Sequence, residues 1–388
     1  MNENGIPVVK PGMLILVPGP NYYIEHSFKN RLLALSKDFE GLLFTTGSTH
    51  QTVQYGDFHV HVVNNNYKLG IVRFLNFCTR SILYITKLRL QDRRIDLIVT
   101  YDPLKTGLVG VFAKYILKAK LAPEVNGDYT NWTNYQDVAN QKLRTLKREI
   151  YIAIERYVLG RADGIKTTHM SQLEFFDSLI LDKSLLASFN YCNVESFTDL
   201  GEEKTVLLVG YPLYVKGVDV LIEAFKKLAS SHPDWRLKIM GWYPDMGPLE
   251  KLIGSHPQIF HHPPVSREKV PEHIGKCGIF VLPSRTEGVP RVLMEAMAAG
   301  KPRIGTKVGG IPQLIEHDVD GFLVPSENTE ELSKYLDNLM SDAGLRHRLG
   351  KAGAKRALRD FSIDAYYEKV KAFYFSVLDA KEKNQLSK

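Results

Sequence analysis

The sequence predicts an α/β fold built from two doubly wound, Rossmann-like domains in series. The chain has 388 residues, more than the roughly 250–300 over which a single hydrophobic core grows. Short apolar runs alternate with longer stretches of helical periodicity, which is typical of parallel sheets with crossover helices. The alternation stops at the polar residues 199–204 and then starts again. We therefore expect an N-terminal domain over residues 1–198, a second domain over 199–360 and a terminal segment over 361–388.

The expected elements follow from these runs in chain order. In the first half, apolar runs predict strands, and residues 30–35 and 144–159 carry helical patterns; the strands are 13–17, 41–45, 59–63 and 97–100. In the second half, helices are predicted at 217–230, 290–299 and 363–378; the strands are 205–209, 236–240, 279–282 and 321–324. Because ligands of doubly wound sheets bind at the carboxyl ends of the strands, we look for the functional residues there.

Charge is concentrated in the first half. The chain has a net charge of +7, and residues 65–150 alone hold 15 Lys and Arg against 7 Asp and Glu. Such a local excess favours an anionic partner. Two stretches, 72–90 and 112–121, mix basic and apolar residues, as helices on an anionic membrane leaflet do. The same pattern fits helices that pack on a sheet and extend lysines to water, so both interpretations stay open.

Composition excludes several classes of protein. The three cysteines, Cys78, Cys192 and Cys277, are widely separated and form no CxxC metal pair. Their odd number indicates a reducing compartment. The first residues lack a basic and apolar leader, and no run of 18 apolar residues occurs, so we expect a cytoplasmic protein. No nucleic-acid-binding motif is present, and no nucleic-acid partner is expected.

The segment 281–303 is the most informative for chemistry. A strand ends at Leu282, a polar loop follows, and a helix is expected to open at Pro290, which suits the first helical position. The free N–H groups and dipole of such a helix start favour a phosphate. Glu287 precedes the helix, and Glu295 is the one charged residue between 292 and 299. An acid in so apolar a helix either faces water or needs a specific partner.

This segment resembles the E-x7-E region of retaining glycosyltransferases of the GT-B fold, family 4 (glycosyl transferases group 1), with Glu287 and Glu295 as the two acids. The resemblance extends over about residues 200–330, through 207–225, 305–315 and 320–325, and is looser in the first half. It implies a GT-B architecture, in which two Rossmann-like domains face a cleft and the terminal helix crosses back to the N-terminal domain. It also implies a nucleotide diphosphate sugar as donor and neither a cofactor nor a metal.

The family's roles transfer position by position. By this resemblance, Glu295 accepts hydrogen bonds from the ribose hydroxyls, and Glu287 holds hydroxyls of the transferred sugar. Lys216 neutralises the diphosphate, and the amides around Gly288 and Val289 cradle it at the helix start. A preorganised cation and amide donors would lower the barrier, because departure of a nucleoside diphosphate builds negative charge on phosphate.

The sequence departs from the family at three places. After Gly210 the family usually has an Arg, where this chain has Tyr211; we take both as donor-binding positions and Arg291 as the replacement cation. Before Gly127 many members have a His, where this chain has Asn126. An amide can hydrogen-bond a sugar hydroxyl but cannot titrate; a plain tight turn at Asn126 is an equal alternative. The third departure is the loop 18–23, which lacks the usual Gly-Gly.

The sequence thus predicts a hexosyltransferase that acts with retention on a hydroxyl of a glycan or lipid-linked acceptor, as in polysaccharide or glycolipid biosynthesis, and is peripheral at the inner membrane leaflet. A catalytically silent GT-B subunit that only binds a sugar nucleotide is the alternative; an epimerase or phosphorylase of the same fold is less favoured. Asp318 and Asp320 fit a metal-binding D-x-D pattern, but the Gly321 that follows favours a turn. His261 and His262 have no third ligand nearby and indicate a strand end.

Overall fold

The structure is a computed structural model that describes residues 9–19, 28–130, 132–135, 140–188 and 191–380. The chain forms two units, Met1–Ser188 with Tyr367–Lys388, and Phe189–Tyr366. The sequence places the corresponding boundaries at 198/199 and 360/361. Each unit is a sheet with helices on its faces, as the alternation of apolar runs predicts.

The first unit contains an eight-stranded sheet in the order β3-β4-β2-β1-β5-β6-β7-β8. All neighbours are parallel except β3, which pairs antiparallel with β4. Its elements are β1 (Gly12–Leu16), α1 (Lys29–Leu35), β2 (Glu40–Gly47), β3 (Gln51–Tyr55), β4 (Phe58–Asn64), α2 (Gly70–Leu90), β5 (Leu97–Thr100), α3 (Lys105–Leu117), β6 (Lys120–Val125), α4 (Gln141–Arg161), β7 (Gly164–Thr167), α5 (Asp177–Ile180) and β8 (Ser184–Ala187).

The second unit contains a six-stranded, all-parallel sheet in the order β11-β10-β9-β12-β13-β14. Its elements are β9 (Glu203–Val209), α6 (Val218–Leu228), β10 (Arg236–Met240), α7 (Gly247–Ile253), β11 (Ile259–His262), α8 (Val270–Lys276), β12 (Cys277–Leu282), α9 (Arg291–Ala298), β13 (Arg303–Thr306), α10 (Ile311–Leu314), β14 (Phe322–Val324), α11 (Thr329–Ser341) and α12 (Ala343–Phe361). Helix α13 (Ile363–Asp379) begins at the end of this unit, and its residues from Tyr367 onward belong to the first unit. Strands β12, β13 and β14 are entirely buried, as expected where helices cover both faces of a parallel sheet, whereas the edge strand β11 is mostly half-buried or exposed.

The expectation of two doubly wound α/β units is confirmed, with local corrections. The basic stretch 112–121 is not one helix, because α3 ends at Leu117 and Lys118 has a left-handed φ of 55°. Residues from Lys120 onward belong to strand β6 instead. Helix α9 begins at Arg291 rather than at Pro290, which occupies the capping position. Within loop 18–23, residues 20–23 lie outside the described part of the chain.

A buried charged network ties the end of helix α13 into the first unit. Glu124, on β6, accepts hydrogen bonds from both guanidinium nitrogens of Arg31, at 3.0 and 2.6 Å, and from the Tyr374 hydroxyl at 3.0 Å. Burial alone would raise the pKa of Glu124, but the charges of Arg31 and Lys166 outweigh it and lower the pKa to about 2. The part of α13 that belongs to the first unit is therefore held on β6 by a hydrogen bond from Tyr374 to an ionised carboxylate.

Among the described residues, no helix combines the length and the apolar character that crossing a membrane requires. Helix α2 is instead amphipathic. It buries Phe77, Ser81, Ile85 and Leu88 against the rest of the first unit.

Candidate functional site

The candidate site lies where the strand order of the second sheet reverses. Strands β9 and β12 are neighbours, yet the chain leaves them in opposite directions across the sheet. Such a switch point opens a crevice at the carboxyl ends of its two strands. The loop after β9 carries Gly210, Tyr211 and Lys216, and the loop after β12 carries Glu287 and the start of α9.

The backbone holds these two loops together. Gly217 has φ of 65°, and a Cβ there would stand 2.0 Å from the Pro283 carbonyl oxygen. Only glycine fits this approach. The Arg285 amide also donates to the Val215 carbonyl oxygen at 2.9 Å. Lys216, between these contacts, is therefore fixed against the β12 loop.

Lys216 and Glu287 form an ion pair in this crevice. The Lys216 Nζ donates to Glu287 Oε1 at 2.6 Å, with side-chain exposures of 17% and 9%. The Ser284 hydroxyl donates to the same carboxylate oxygen at 2.8 Å. Thr306 Oγ1 in turn donates to the Ser284 carbonyl oxygen at 2.6 Å. The structure thus brings together two residues 71 positions apart that the sequence assigns to the site.

The backbone next to the α9 start is packed closely from the β13 side. Gly309, with φ of 51°, approaches so near that a Cβ would lie 1.8 Å from the Glu287 carbonyl oxygen. The Gly310 amide donates to the Gly288 carbonyl oxygen at 2.7 Å. Gly288 is exposed and Val289 is half-buried, directly before the first turn of α9. This leaves an accessible helix N-terminus beside the Lys216–Glu287 pair, a place that favours an anion.

Glu295 is held apart from that pair, inside α9. The residue is half-buried, and burial raises the pKa of its carboxyl, while the charges of Arg291 and Arg267 oppose the rise. Arg291 lies one turn earlier on the same helix, with its side chain exposed. Arg291 is thus close enough to act electrostatically on Glu295 while it occupies the first turn of α9.

Aromatic side chains border the end of β9. The Tyr243 hydroxyl donates to the Gly210 carbonyl oxygen at 2.9 Å. The Tyr211 ring, 45% exposed, meets the rings of Trp242 and Tyr243 edge-on at 5.7 and 5.9 Å. At the position where the family that the sequence resembles usually has an Arg, this chain therefore has Tyr211, whose ring packs against two further aromatic rings.

Arg285 is a site residue that sequence reasoning missed. Its guanidinium forms a two-pronged pair with Asp219 at 2.8 and 2.7 Å and donates to Glu327 at 2.8 Å. It also lies 3.8 Å from the centre of the Tyr214 ring. These bonds raise the pKa of Arg285 and join the start of α6 to the β12 loop. Its position in the loop between Leu282 and Glu287 could have indicated a place in the site, but its partners Asp219 and Glu327 are distant in sequence.

In the first unit, Asn126 follows β6 directly. Its Nδ2 donates to the Tyr101 carbonyl oxygen at 2.7 Å, at the end of neighbouring strand β5. The amide is therefore oriented by a tertiary contact, which a plain tight turn does not require. With the nitrogen so engaged, Oδ1 is the atom of this half-buried side chain that remains as an acceptor.

The D-x-D residues are engaged by arginines. Both Asp320 oxygens are buried in ion pairs with Arg303 and Arg356, at 3.0 and 2.7 Å. Asp318 has φ of 64° and receives Arg348 at 3.3 Å. The pattern forms a turn here, since the Asp318 amide donates to the Gly321 carbonyl oxygen.

The other side chains that could bind a metal do not form a site among the described residues. The described part of the chain contains no group of three His, Cys, Asp or Glu side chains that could hold a metal ion. His261 and His262 end strand β11, as expected.

Most of the second unit matches the model of a known protein family. Residues 195–356 match the model of the family described as Glycosyl transferases group 1. An uncharacterized glycosyltransferase of Haemophilus influenzae is 36% identical over 148 residues, which are 37% of this chain and 41% of that protein. Alignments with curated relatives span between 17% and 57% of their length.

Solved structures extend the likeness in fold to the whole chain. Sucrose-phosphate synthase from Thermosynechococcus elongatus has a TM-score of 0.73 at 16% identity, over 95% of this chain and 100% of that one. Anabaena HepE, solved in complex with UDP-glucose, has a TM-score of 0.67 at 15% identity, over 94% and 99%. These likenesses confirm the GT-B fold class. The family match itself covers residues 195–356, which are less than half of the chain and lie within the second unit.

Proposed function

We propose that this protein is a retaining glycosyltransferase that moves a hexose from a nucleoside diphosphate sugar to a hydroxyl of a glycan or lipid-linked acceptor. The observation that carries the proposal is the Lys216–Glu287 pair, 2.6 Å apart at the switch point and beside the N-terminus of α9. The Lys216 cation and the amides at the start of α9 suit the diphosphate of such a donor, and the Glu287 carboxylate suits hydroxyls of its sugar. Anabaena HepE, which shares the fold, has been solved with UDP-glucose.

The diphosphate would bind against the first turn of α9. The amides of Gly288 and Val289 and the helix dipole offer partial positive charge there, and Lys216 offers a full one. Because Glu287 already neutralises Lys216, the pair has no net charge, and a further cation is needed to balance a diphosphate. Arg291 supplies it from the first turn of the same helix, in place of the Arg absent at Tyr211.

Glu287 and Glu295 would orient the rest of the donor. Glu287 accepts hydrogen bonds from hydroxyls of the transferred sugar, and Glu295, one and a half turns into α9, accepts them from the ribose. Both are half-buried, so each contact is charge-assisted and partly protected from water, worth about 1.5–3 kcal/mol. Gly210 and Tyr211 form the opposite wall of the donor subsite.

In the transfer step, the bond between the anomeric carbon and the phosphate oxygen breaks while a bond to the acceptor oxygen forms on the same face. The acceptor hydroxyl proton passes to the departing phosphate. Charge that develops on the phosphate is met by Lys216 and the α9 amides, which are fixed before the reaction and need no reorganisation. Asn126 Oδ1 accepts from a sugar hydroxyl, a role that needs an acceptor atom and no titration.

The first unit would contact an anionic membrane that carries a lipid-linked acceptor. Helix α2 contains no acidic residue and exposes an apolar stripe beside Arg80, Lys87 and Arg89. The stripe consists of Ile71, Leu75, Ile82, Leu83 and Leu90, with exposures from 40% to 82%. Helix α3, which packs between α2 and α4, borders an apolar cavity of about 570 Å³. Basic residues around an apolar stripe complement anionic headgroups over acyl chains.

A binding and transfer assay tests the donor half. UDP-, GDP-, ADP- and dTDP-sugars are screened by thermal shift, since a ligand at 100 times its Kd stabilises a protein by about 2.7 kcal/mol. The donor that binds is then incubated with acceptor, and the product's anomeric configuration is read by NMR. Lys216→Met is expected to lose the shift, whereas Lys204→Met, at an exposed pair on β9, keeps it. No shift with any donor would refute the proposal, and binding without hydrolysis or transfer would favour the silent subunit.

Vesicle flotation tests the membrane contact. The protein should float with vesicles of anionic phosphatidylglycerol and not with neutral phosphatidylcholine. Leu75→Glu with Leu83→Glu should abolish flotation, while Leu358→Glu, an equally exposed leucine on α12, should leave it intact. Equal flotation of all three proteins would exclude α2 as the contact.

A further inference from the structure

Helix α4 buries one acid among apolar residues. Glu155 lies on its inward face with Ile152, Val158 and Leu159, and is 1% exposed. Neither of its carboxylate oxygens has a hydrogen-bond partner within the described chain. Leaving such a group buried and unsatisfied costs stability, by about 1–3 kcal/mol for a polar group and more for a charge. A buried acid that lowers stability in this way is a candidate for a functional role.

The environment of Glu155 favours its protonated form. Burial raises the pKa of its carboxyl to about 8, and the negative charge of Asp128 adds to the rise. The titratable and charged groups around these residues include Tyr135 and, on α4 itself, Tyr151 and Arg148. Lys147, also on α4, holds its Nζ 5.8 and 5.9 Å from the centres of the Tyr135 and Tyr151 rings. Tyr135 stays neutral over the same range, since burial and its neighbours raise the pKa of its phenol to about 12. Glu155 is thus the group here that changes charge near pH 8.

The chain beside Glu155 is the continuation of the Asn126 turn. Asp128 accepts from the amide and hydroxyl of Thr130, at 2.9 and 2.6 Å. The Tyr135 hydroxyl donates to the Tyr129 carbonyl oxygen at 2.6 Å. Arg148, two turns before Glu155 on α4, donates to the Thr130 carbonyl oxygen at 2.7 Å. We call residues 128–130 and 132–135 the acceptor segment.

Trp132 reports on the acceptor segment. The Arg148 guanidinium lies 4.5 Å from the centre of its ring, so the indole senses any change in the packing of the segment against α4. The other two tryptophans, Trp235 and Trp242, belong to the second unit.

Helix α4 contacts the acceptor segment through Arg148 and through the Tyr151 ring, which lies 6.4 and 6.0 Å from the rings of Tyr129 and Tyr135. We propose that Glu155 is a positioning residue: as a neutral carboxylic acid it lets this face of α4 pack against the acceptor segment, and its ionisation sets a second negative charge near Asp128 and displaces that segment. The displacement carries Asn126 away from its hydrogen bond with Tyr101. This deepens the proposed function, on which its catalytic consequence rests; the structural step itself needs no substrate.

The direction of the pH dependence follows from linkage. A carboxyl whose pKa rises on folding is protonated more readily in the native state than in the unfolded one. The supported arrangement is therefore favoured at lower pH and is lost as pH rises through about 8. Removing the Asp128 charge should bring that midpoint down.

Fluorine NMR of the full chain labelled with 5-fluorotryptophan tests the structural step without substrate. Trp132→Phe assigns the Trp132 resonance, and Trp235 and Trp242 serve as internal references. Between pH 6 and 9.5 the Trp132 resonance should shift with a midpoint near 8, while the references stay in place. A Trp132 resonance that does not titrate overturns the proposal.

Matched variants assign the titration. Glu155→Gln keeps the size of the side chain and its neutral state, and should remove the shift. Asp128→Asn should lower the midpoint, and it decides the matter independently if Glu155→Gln does not fold. Glu174→Gln, an exposed acid of the same unit, should titrate as wild type does. A wild-type midpoint in both Glu155→Gln and Asp128→Asn overturns the assignment.

The pH profile of transfer tests the positioning role. With donor saturating, kcat/KM for the acceptor should fall about tenfold per pH unit above the midpoint, as for one essential protonated group. The donor KM should change little, and Glu155→Gln should lack the fall. Transfer without the fall, in a protein whose Trp132 moves, overturns the role of Glu155. Absence of any transfer overturns the proposed function instead, and the NMR titration still decides the structural step.

Discussion

Substitution of Lys216 and substitution of Glu287 should change the affinity for a bare nucleoside diphosphate in opposite directions. If Lys216 neutralises the diphosphate, Lys216→Met should weaken the binding of a bare nucleoside diphosphate such as UDP. Glu287 touches the same Lys216 Nζ at 2.6 Å, and its negative charge opposes a diphosphate. Glu287→Gln should therefore tighten the binding of the bare nucleoside diphosphate, although it weakens the contact with the sugar.

The magnitudes follow from the geometry. Loss of one charge-assisted contact corresponds to about 1.5–3 kcal/mol, or a Kd about 10- to 150-fold higher for Lys216→Met. A phosphate bound to the far side of Lys216 would lie about 5 Å from the Glu287 carboxylate, and a unit charge at that distance would repel it by about 3 kcal/mol at an effective dielectric constant of about 20. Lys216 screens part of this repulsion, so we expect Glu287→Gln to gain about 1–2 kcal/mol, or roughly a 5- to 30-fold lower Kd.

Isothermal titration calorimetry at fixed ionic strength measures both effects. UDP is titrated into wild type, each single variant and the double variant, with circular dichroism as the check of folding. A second series with the matching sugar donor reports the contribution of the sugar. The ratio of the two affinities should fall in Glu287→Gln, because only the sugar donor loses a hydrogen-bond acceptor.

One result would refute this reasoning. If Glu287→Gln weakens UDP binding as much as Lys216→Met, the carboxylate acts mainly by holding the lysine in place. The two charges would then be one structural unit, and the double-variant cycle would show a coupling energy close to either single effect.

Three further predictions concern the supports of the two units. Glu124→Gln should lower the free energy of unfolding of the first unit by about 3–5 kcal/mol in urea, since it leaves Arg31 buried without its counter-charge; Tyr374→Phe should lower it by only about 1–2 kcal/mol. Because the pKa of Glu124 is lowered from 4.5 to about 2, its stabilisation should be present above pH 4.5 and disappear as pH falls through 2, and acid titration of Glu124→Gln should lack that component. Arg285→Lys loses the two-pronged pair with Asp219 and should weaken UDP binding several-fold in calorimetry without unfolding the protein.

Much of the fold could be predicted because apolar periodicity records burial. Strands β5 and β10 have the predicted bounds, and other predicted strands differ by one to three residues at their ends. Strands β3, β6, β7, β8 and β13 were not predicted; the residues of β3, for example, Gln51–Tyr55, are partly exposed and have no continuous apolar run. The stretch 112–121 was misread for a related reason: Lys118 interrupts an amphipathic pattern that continues without a break in the sequence.

Local sequence alone pointed to the start of α9, whereas Lys216, Tyr211 and Asn126 were assigned to the site through the family resemblance. Glu287, Gly288 and Val289 adjoin a helix start, and that local pattern carries its own chemistry. Arg285 depends on an ion pair with Asp219, 66 positions away, and Glu155 is influenced by the charge of Asp128, 27 positions away; no periodicity records either. Glu155 illustrates the point, because at helical spacing it looks like a solvated position and is in fact 1% exposed.

The excess positive charge of the chain and the donor site are therefore separate matters. In the crevice proposed for the donor, Lys216 is half-buried and paired with Glu287, so salt screens its attraction for a diphosphate less than it screens fully exposed charges. Backbone amides keep their field at any pH and lose little to salt when partly buried. Helix α2, with basic side chains and no acid, depends instead on surface charge. Raising the ionic strength should thus release the protein from anionic vesicles well before it weakens the binding of a nucleoside diphosphate, and the reverse order would show that exposed charges, not the half-buried Lys216 and the α9 amides, hold the donor.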